Sequence, residues 1–509
     1  MHKINKKIAQ FEGLIAMLIL AFGIPFGLKA DQAKVPSYKL NTITITSTGA
    51  MEPMVAKPYP YLRLAKWLTP TTHISLIDKA INLPPGTIFD AKALLSIKQR
   101  LMALPYFATV SVMRKIVDPT TDPIISDLII KTKDRFPISL GVSLDEGPLL
   151  TIMHANAWGY GHSFSQQFFL KKRWGYGCTY ELPKLHGHYL FGGDYYKQIG
   201  SNYRFDHQNV WAAKLFASTT EESYAPYYWI TGLSGYKKVF VTALPVSAIK
   251  NTSYHDYTLV LGKIGWVADV YQKLSGLYAL HDLEKLPKGG SAAMLYGYQK
   301  GQFNNRHYIG VHCIKNIVKP RFRYMHINCE SGSFLHKNRW EEAILKLGLA
   351  YVGPSIQRCN GAHQSVAIDY IIGCRMPKER MLGIMHRDPE VLEAPEVDNS
   401  LQAPIYARLN LHLDSTLHMP IVLSSIRFVV LAFTNFIALY NRDNQLLNQT
   451  FVDTYGMGLH LEHATKSWPG VALKVGYSPL LGKVVPSVKL AIHTFKNKTE
   501  AKPTLVSYS

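Results

Sequence analysis

The sequence predicts a mainly β protein in which a C-terminal antiparallel β-barrel of about 16 strands crosses a membrane and is preceded by a small α+β unit. Three observations predict it. Residues 82–112 carry one amphipathic helix running into a period-two strand. Beyond Asp134 helical periodicity stops, and one strand-like segment follows another almost to the end of the chain. In those segments an apolar face opposes one that is small, polar or charged, the arrangement of a sheet with lipid on one side and water on the other.

At the start, Lys3, Lys6 and Lys7 precede an apolar run over residues 14–28, and Ala30 supplies a small residue for cleavage. Residues 1–30 therefore read as a secretory signal peptide, the alternative being an N-terminal anchor helix. Residues 38–47 alternate as a strand, with Leu40, Thr42, Thr44 and Thr46 on one side and Asn41, Ile43, Ile45 and Ser47 on the other. After a loop rich in proline (Pro53, Pro58, Pro60), residues 75–82 suit a short helix that buries Ile77, Ala80 and Ile81. Pro84, Pro85 and Gly86 then make a turn, and Asp90 is placed to cap a helix by accepting from its free first-turn amides. Leu94, Ile97, Leu101 and Leu104 form one stripe of that helix, which Pro105 ends. The strand that follows places Phe107, Thr109, Ser111 and Met113 on one face and Ala108, Val110, Val112 and Arg114 on the other. A further strand over residues 127–131 lies beyond the turn between Pro119 and Pro123. Strand, helix, helix, strand, strand over residues 38–134 is an α+β unit.

The later segments decide what the unit is attached to. Leu409, Leu411 and Leu413 oppose Arg408, Asn410 and His412; Tyr455, Met457, Leu459 and Leu461 oppose Gly456, Gly458, His460 and Glu462. Val471, Leu473, Val475 and Tyr477 oppose Ala472, Lys474 and Gly476, and Leu345, Leu347, Leu349 and Tyr351 oppose Lys346, Gly348 and Ala350. A soluble sandwich closes its apolar faces against one another and does not call for charged and histidine residues opposite them so regularly. A membrane barrel does, with apolar side chains toward lipid and polar ones toward a wet lumen. The 30 tyrosines suit the interfacial girdles of such a barrel. At about 22 residues per strand and loop, residues 138–495 hold roughly 16 strands. No uncharged apolar run reaches the roughly 18–20 residues of a spanning helix.

The remaining composition narrows the chemistry. A formal charge of +21 suits contact with anionic lipid head groups or lipopolysaccharide phosphates, or simply solvated loops, and nothing resembles a nucleic-acid module. Five cysteines, Cys178, Cys313, Cys329, Cys359 and Cys374, allow at most two bridges and show no CxxC pairing. There is no HExxH, GxSxG or Walker pattern, so no enzyme activity and no cofactor is expected. His186 with His188, and His460 with His463, lack a third ligand at suitable spacing, and no metal is assigned.

Gly86, Thr87, Ile88, Phe89 and Asp90, a helix, and then Arg100, Leu101, Leu104, Pro105, Tyr106 and Phe107 before a strand resemble the polypeptide-transport-associated (POTRA) repeat. Its pattern is a Gly turn, a helix ending in "L..L.yF", and a strand, so Gly86, Phe89, Leu94, Leu101, Leu104 and Phe107 are implied to be structural. Asn156, Gly159 and Gly161, followed by Gly177, Tyr180, Pro183 and Gly187, are similar to the first hairpins of the BamA-type barrels, the outer-membrane protein assembly factors. Residues 426–440 resemble that family's "vvlFvDfG" strand, with Asn435 and Ile437 where it has Asp and Gly. Residues 488–495, with Val488, Leu490, Ile492 and Phe495, resemble the closing strand of outer-membrane proteins, and residues 496–509 form a tail beyond it. The family's sixth-loop Arg-Gly-aromatic motif is missing between Cys374 and Leu401; Arg387 is the candidate for its lumen arginine.

The resemblance implies an outer-membrane protein of a Gram-negative bacterium with its POTRA-like unit, residues 38–134, in the periplasm. It implies assembly or translocation of unfolded outer-membrane or secreted client proteins without covalent catalysis. Clients would be received on a strand edge of the unit and passed to a seam between residues 138–145 and 488–495, with lipid, lipopolysaccharide and accessory lipoproteins as further partners. The alternatives are a passive barrel, as in a porin, adhesin or surface antigen, and a dedicated two-partner-type secretion transporter.

Overall fold

The computed structural model describes residues 37–506 apart from 51–66, 377–404, 492–501 and shorter stretches in the connections, of which 241–255 is the longest. The signal-peptide reading, Arg387, Ile492 and Phe495 fall outside the described residues.

The N-terminal unit has the predicted element order with one addition: β1 (Tyr38–Thr48), α1 (Ile74–Ile81), β2 (Ile88–Phe89), α2 (Ala91–Ala103), β3 (Phe107–Asp118) and β4 (Ile124–Asp134). Its sheet has the order β2-β1-β4-β3, with β1 parallel to β4. Asp90 caps α2 by accepting from the Ala93 N–H at 2.7 Å. Ile77, Ile81, Ile97 and Leu101 are fully buried against Leu128 and Ile130, while Leu94, Leu104 and Ala80 pack around the rim of the core. Gly86 adopts φ +85°, a conformation that costs other residues about 1–2 kcal/mol. Its N–H donates to the Leu40 carbonyl, which lets Phe89 enter the core. Between Leu40 and Ile43 the β1–β4 register shifts, and Asp127 closes the gap, accepting from Asn41 Nδ2, Thr42 N and Thr42 Oγ1 at 2.9, 3.2 and 2.7 Å. The Thr42 hydroxyl, and then the Asn41 amide, hold the Asp127 carboxyl below the usual carboxylate range.

One detail of the predicted strand is corrected. Strict alternation from Phe107 puts Phe107 and Val110 on opposite faces, yet both are buried in the same core. The register of β3 against β4 shifts between Phe107 and Thr109, and this bulge turns Phe107 inward.

The second part is a closed antiparallel barrel. Its strands are β5 (Ile138–Ser143), β6 (Leu149–Ala157), β7 (His162–Lys171), β8 (Arg173–Leu185), β9 (Tyr189–Ile199), β10 (Arg204–Ala217), β11 (Tyr227–Phe240) and β12 (Tyr257–Ala268). A separate hairpin, β13 (Tyr271–Ser275) and β14 (Leu283–Pro287), interrupts the series. The wall resumes with β15 (Gly290–Gly301), β16 (Asn305–Lys319), β17 (Arg323–His336), β18 (Arg339–Val352) and β19 (His363–Cys374). It ends with β20 (Ile405–Leu423), β21 (Ile426–Asn441), β22 (Thr450–His463), β23 (Gly470–Ser478) and β24 (Lys483–Ala491), and the ring closes between β24 and β5.

Among the described residues the wall has eighteen strands rather than about 16. The difference comes from tight hairpins. Between β17 and β18, for example, the whole connection is Lys337 and Asn338, both at positive φ as in a type I′ turn. The closing strand starts earlier than expected, at Lys483, and in it Val488 and Leu490 pair with Leu473 and Val471; residues 492–495 lie outside the described residues.

The predicted polarity holds over most of the wall. Arg408, Asn410, His412 and His460 are buried, while Leu413, Met457, Val475 and Tyr477 lie on the exposed outer face. It fails in two places. Leu259, Leu261 and Leu295 also point inward, and on β21 Phe433 and Ile437 share the inner face with Asn435. Leu345, on the face opposite to Ile344 as the alternation predicts, packs with the cross-strand pair Cys313 and Cys329 and with Val311, Leu347 and Ile372. Among the described cysteines Cys178, Cys313 and Cys329 are free thiols.

Candidate functional site

Three features of the chain bear on what it does: the joint between unit and barrel, the open strand edge of the unit, and the lumen wall.

The joint is built from the short segment before α1 and the β6–β7 turn. Thr72 is its hub. The Asp134 carboxylate accepts from the Thr72 N–H at 2.6 Å and from its hydroxyl at 2.8 Å, and Asn156 Nδ2, at the end of β6, also donates to that hydroxyl at 2.8 Å. The other end of the same amide, Asn156 Oδ1, accepts from the Gly161 N–H at 2.7 Å. All three side chains are buried, so each bond is made away from competing water. The His73 N–H donates to the Gly159 carbonyl, the Leu68 carbonyl meets His154 Nε2 at 2.8 Å, and the His73 ring stacks on Tyr160. The Asn156, Gly159, Gly161 spacing is thus a docking motif. Both glycines have positive φ; a Cβ at Gly159 would collide with the Thr71 carbonyl, and one at Gly161 would press on Leu76 and on the Tyr106 ring at 3.1 and 3.2 Å. Tyr106 is the aromatic before Phe107 in the "L..L.yF" pattern, and the structure gives it this second use. Burial, and then the Asp134 charge, push its phenol well above its ordinary value, so it stays neutral.

The open edge is β3, whose outer side has no strand partner among the described residues. Thr109, Ser111, Met113, Lys115, Ile116 and Val117 are exposed along it. Unpaired edge N–H and C=O groups template a further strand. Of the predicted structural residues, Phe89, Leu101 and Phe107 are buried and Leu94 and Leu104 partly so, beneath the helices.

The lumen wall is charged and histidine-rich. Arg306 donates to Glu342 Oε1 at 2.6 Å and to Gln299 Oε1 at 3.2 Å, with its guanidinium 4.1 Å above the Phe334 ring. This pair sits beside the register shift between Gly332 and Phe334 on β17. Two and three strands further round from β18, Asn410 on β20 and Asn435 on β21 are buried with no hydrogen-bond partner for either side-chain atom in the structure. Sequence reasoning missed a further occupant of the lumen. Residues 502–506 of the tail lie inside the ring: Lys502 Nζ meets Asp194 on β9 at 2.6 Å, and the Val506 N–H donates to the Tyr308 hydroxyl on β16 at 3.0 Å.

At the predicted seam the ring closes between β24 and β5, whose described residues are Ile138–Ser143.

No family model and no curated sequence matches the chain. Among solved structures it is similar to BamA from Haemophilus ducreyi lacking POTRA domains 1–3, at 12% identity over 89% of this chain and 84% of that one, with a TM-score of 0.45. It is also similar to CdiB from Acinetobacter baumannii, at 12% identity over 89% and 74% of the two chains with a TM-score of 0.43. CdiB from Escherichia coli is 8% identical over 92% of each chain, with a TM-score of 0.37.

Proposed function

We propose that the chain is an outer-membrane barrel that assembles or exports other proteins, receiving extended clients on the edge of its POTRA-like unit and passing them to the barrel without covalent chemistry. The observation that carries this reading is the union of parts: a folded unit with an open strand edge, fixed by a buried network to the first hairpin of a closed barrel with an apolar exterior. An extended segment pairing with β3 gains main-chain hydrogen bonds whatever its sequence, which suits a receptor for many unfolded strands. A single unit among the described residues also fits a transporter dedicated to one secreted partner, and the identity of the captured client separates the two readings.

The test places a photo-crosslinking residue at Ser111 or Lys115 on the β3 edge and, as a control, at Lys131 on the neighbouring internal strand. Adducts with outer-membrane or secreted polypeptides are expected at the edge positions in excess over the control. Equal, background-level labelling at all three positions would remove the receptor role.

A further inference from the structure

The segment that follows the closing strand does not trail away from the barrel. Lys502, Pro503, Thr504, Leu505 and Val506 run across its inside. Lys502 pairs with Asp194 on β9, and the Pro503 carbonyl accepts from the Ser234 and Tyr236 hydroxyls on β11 at 3.2 and 2.5 Å. Leu505 packs against Tyr236, Leu259, Leu261, Leu295, Tyr308 and Phe334. Val506 packs with Ile344 on β18, Ile371 on β19 and Met376 beyond it. From β9 to β19 is eight places along a ring of eighteen. Five residues extend at most about 18 Å, so contact with both arcs is made across the lumen and not around the wall.

The wall is shaped for this segment. Leu259, Leu261 and Leu295 break the polar character of the lumen, and they do so where Leu505 lies; facing water instead, they would expose apolar surface at a cost. The Asp194 side chain is only 6% exposed and sits opposite the one cation of the segment. Pro503 has a fixed φ, so its carbonyl is presented to two hydroxyls with less conformational freedom to lose.

We propose that the inner wall between β9 and β19 is a binding site for an extended segment in which a lysine and a proline precede an adjacent apolar pair, and that residues 502–506 fill it in cis as a strap that closes the lumen. The same site would take a segment of a passing polypeptide with that chemistry once the strap is displaced. The proposal rests on the reading of the chain as a membrane barrel, but not on its clients.

The experiment compares the purified full chain with a chain ending at Ala501, with Lys502→Glu and with the exchange Lys502→Glu/Asp194→Lys. Each is checked for barrel formation by heat-modifiable migration and then measured for conductance in planar bilayers. The chain ending at Ala501 should conduct persistently and the full chain rarely. Lys502→Glu should raise the open fraction about tenfold, the effect of one lost charged contact, and the exchange should restore closure. In parallel, Ser234→Cys, beneath Pro503, should react with a water-soluble thiol reagent about tenfold faster in the shortened chain than in the full one. Folded, inserted chains with equal conductance and equal labelling of the Ser234→Cys variants would overturn the strap while leaving the barrel intact. Failure of every variant to insert would overturn the barrel reading and the strap with it.

Discussion

Gly159→Val is expected to release the N-terminal unit from the barrel while leaving both folded. The substitution places a β-branched residue at φ +76° and a Cβ into the Thr71 carbonyl, and it pushes away the Gly159 carbonyl that accepts from His73. The backbone strain and the lost hydrogen bond together amount to about 2–4 kcal/mol at the joint. Limited proteolysis should then cut between Asp134 and Ile138 much faster than in the parent, with heat-modifiable migration of the barrel unchanged. Because Thr72 is held from both sides, by Asp134 of the unit and by Asn156 of the barrel, Asn156→Ala should act in the same direction with a smaller effect. A joint that stayed resistant to protease in Gly159→Val would mean that the unit is held by contacts other than this turn.

Arg306→Met should lower the temperature at which the unboiled barrel unfolds, through a loss of about 3–5 kcal/mol. Methionine keeps most of the packing over Phe334 but removes the guanidinium that donates to Glu342, a residue only 4% exposed. Arg306→Met/Glu342→Gln should recover most of that loss, since replacing both partners of a buried pair is often close to neutral. A double variant as unstable as the single one would shift the weight from the ion pair to the guanidinium lying on the Phe334 ring.

How far the fold was legible in the sequence follows from which interactions are local. The stripe of α2, the Asp90 cap and the Gly86 turn are all set by residues within a few positions of one another, and each stands where the sequence puts it. The alternation of β20, β22 and β23 likewise fixes which face meets the apolar surroundings. Register is less local. The bulge that turns Phe107 into the core depends on how β3 meets β4, and a pattern of strict period two cannot carry it. The strand count was underestimated because turns such as Lys337 and Asn338 have no Gly or Pro to announce them.

The candidate site was legible only in part. Asn156, Gly159 and Gly161 stood out as a spacing, but their partner Thr72 lies 84 residues before Asn156 and nothing in its neighbourhood marks it. The strap was hidden for the same reason: Lys502 and Asp194 are 308 residues apart, and Val506 and Tyr308 are 198. One signal that could have pointed to it was the inward, apolar Leu259 and Leu261 on a wall rich in polar and charged side chains.

The central claim is that the unit and the barrel work together on other proteins. Its most direct measurement is complementation of cells depleted of this chain by a version lacking residues 38–134, with barrel formation confirmed by heat-modifiable migration. The account predicts that the shortened barrel reaches the membrane but that outer-membrane proteins, or one secreted partner, accumulate unassembled in the periplasm. Normal assembly and secretion with that barrel alone would contradict it.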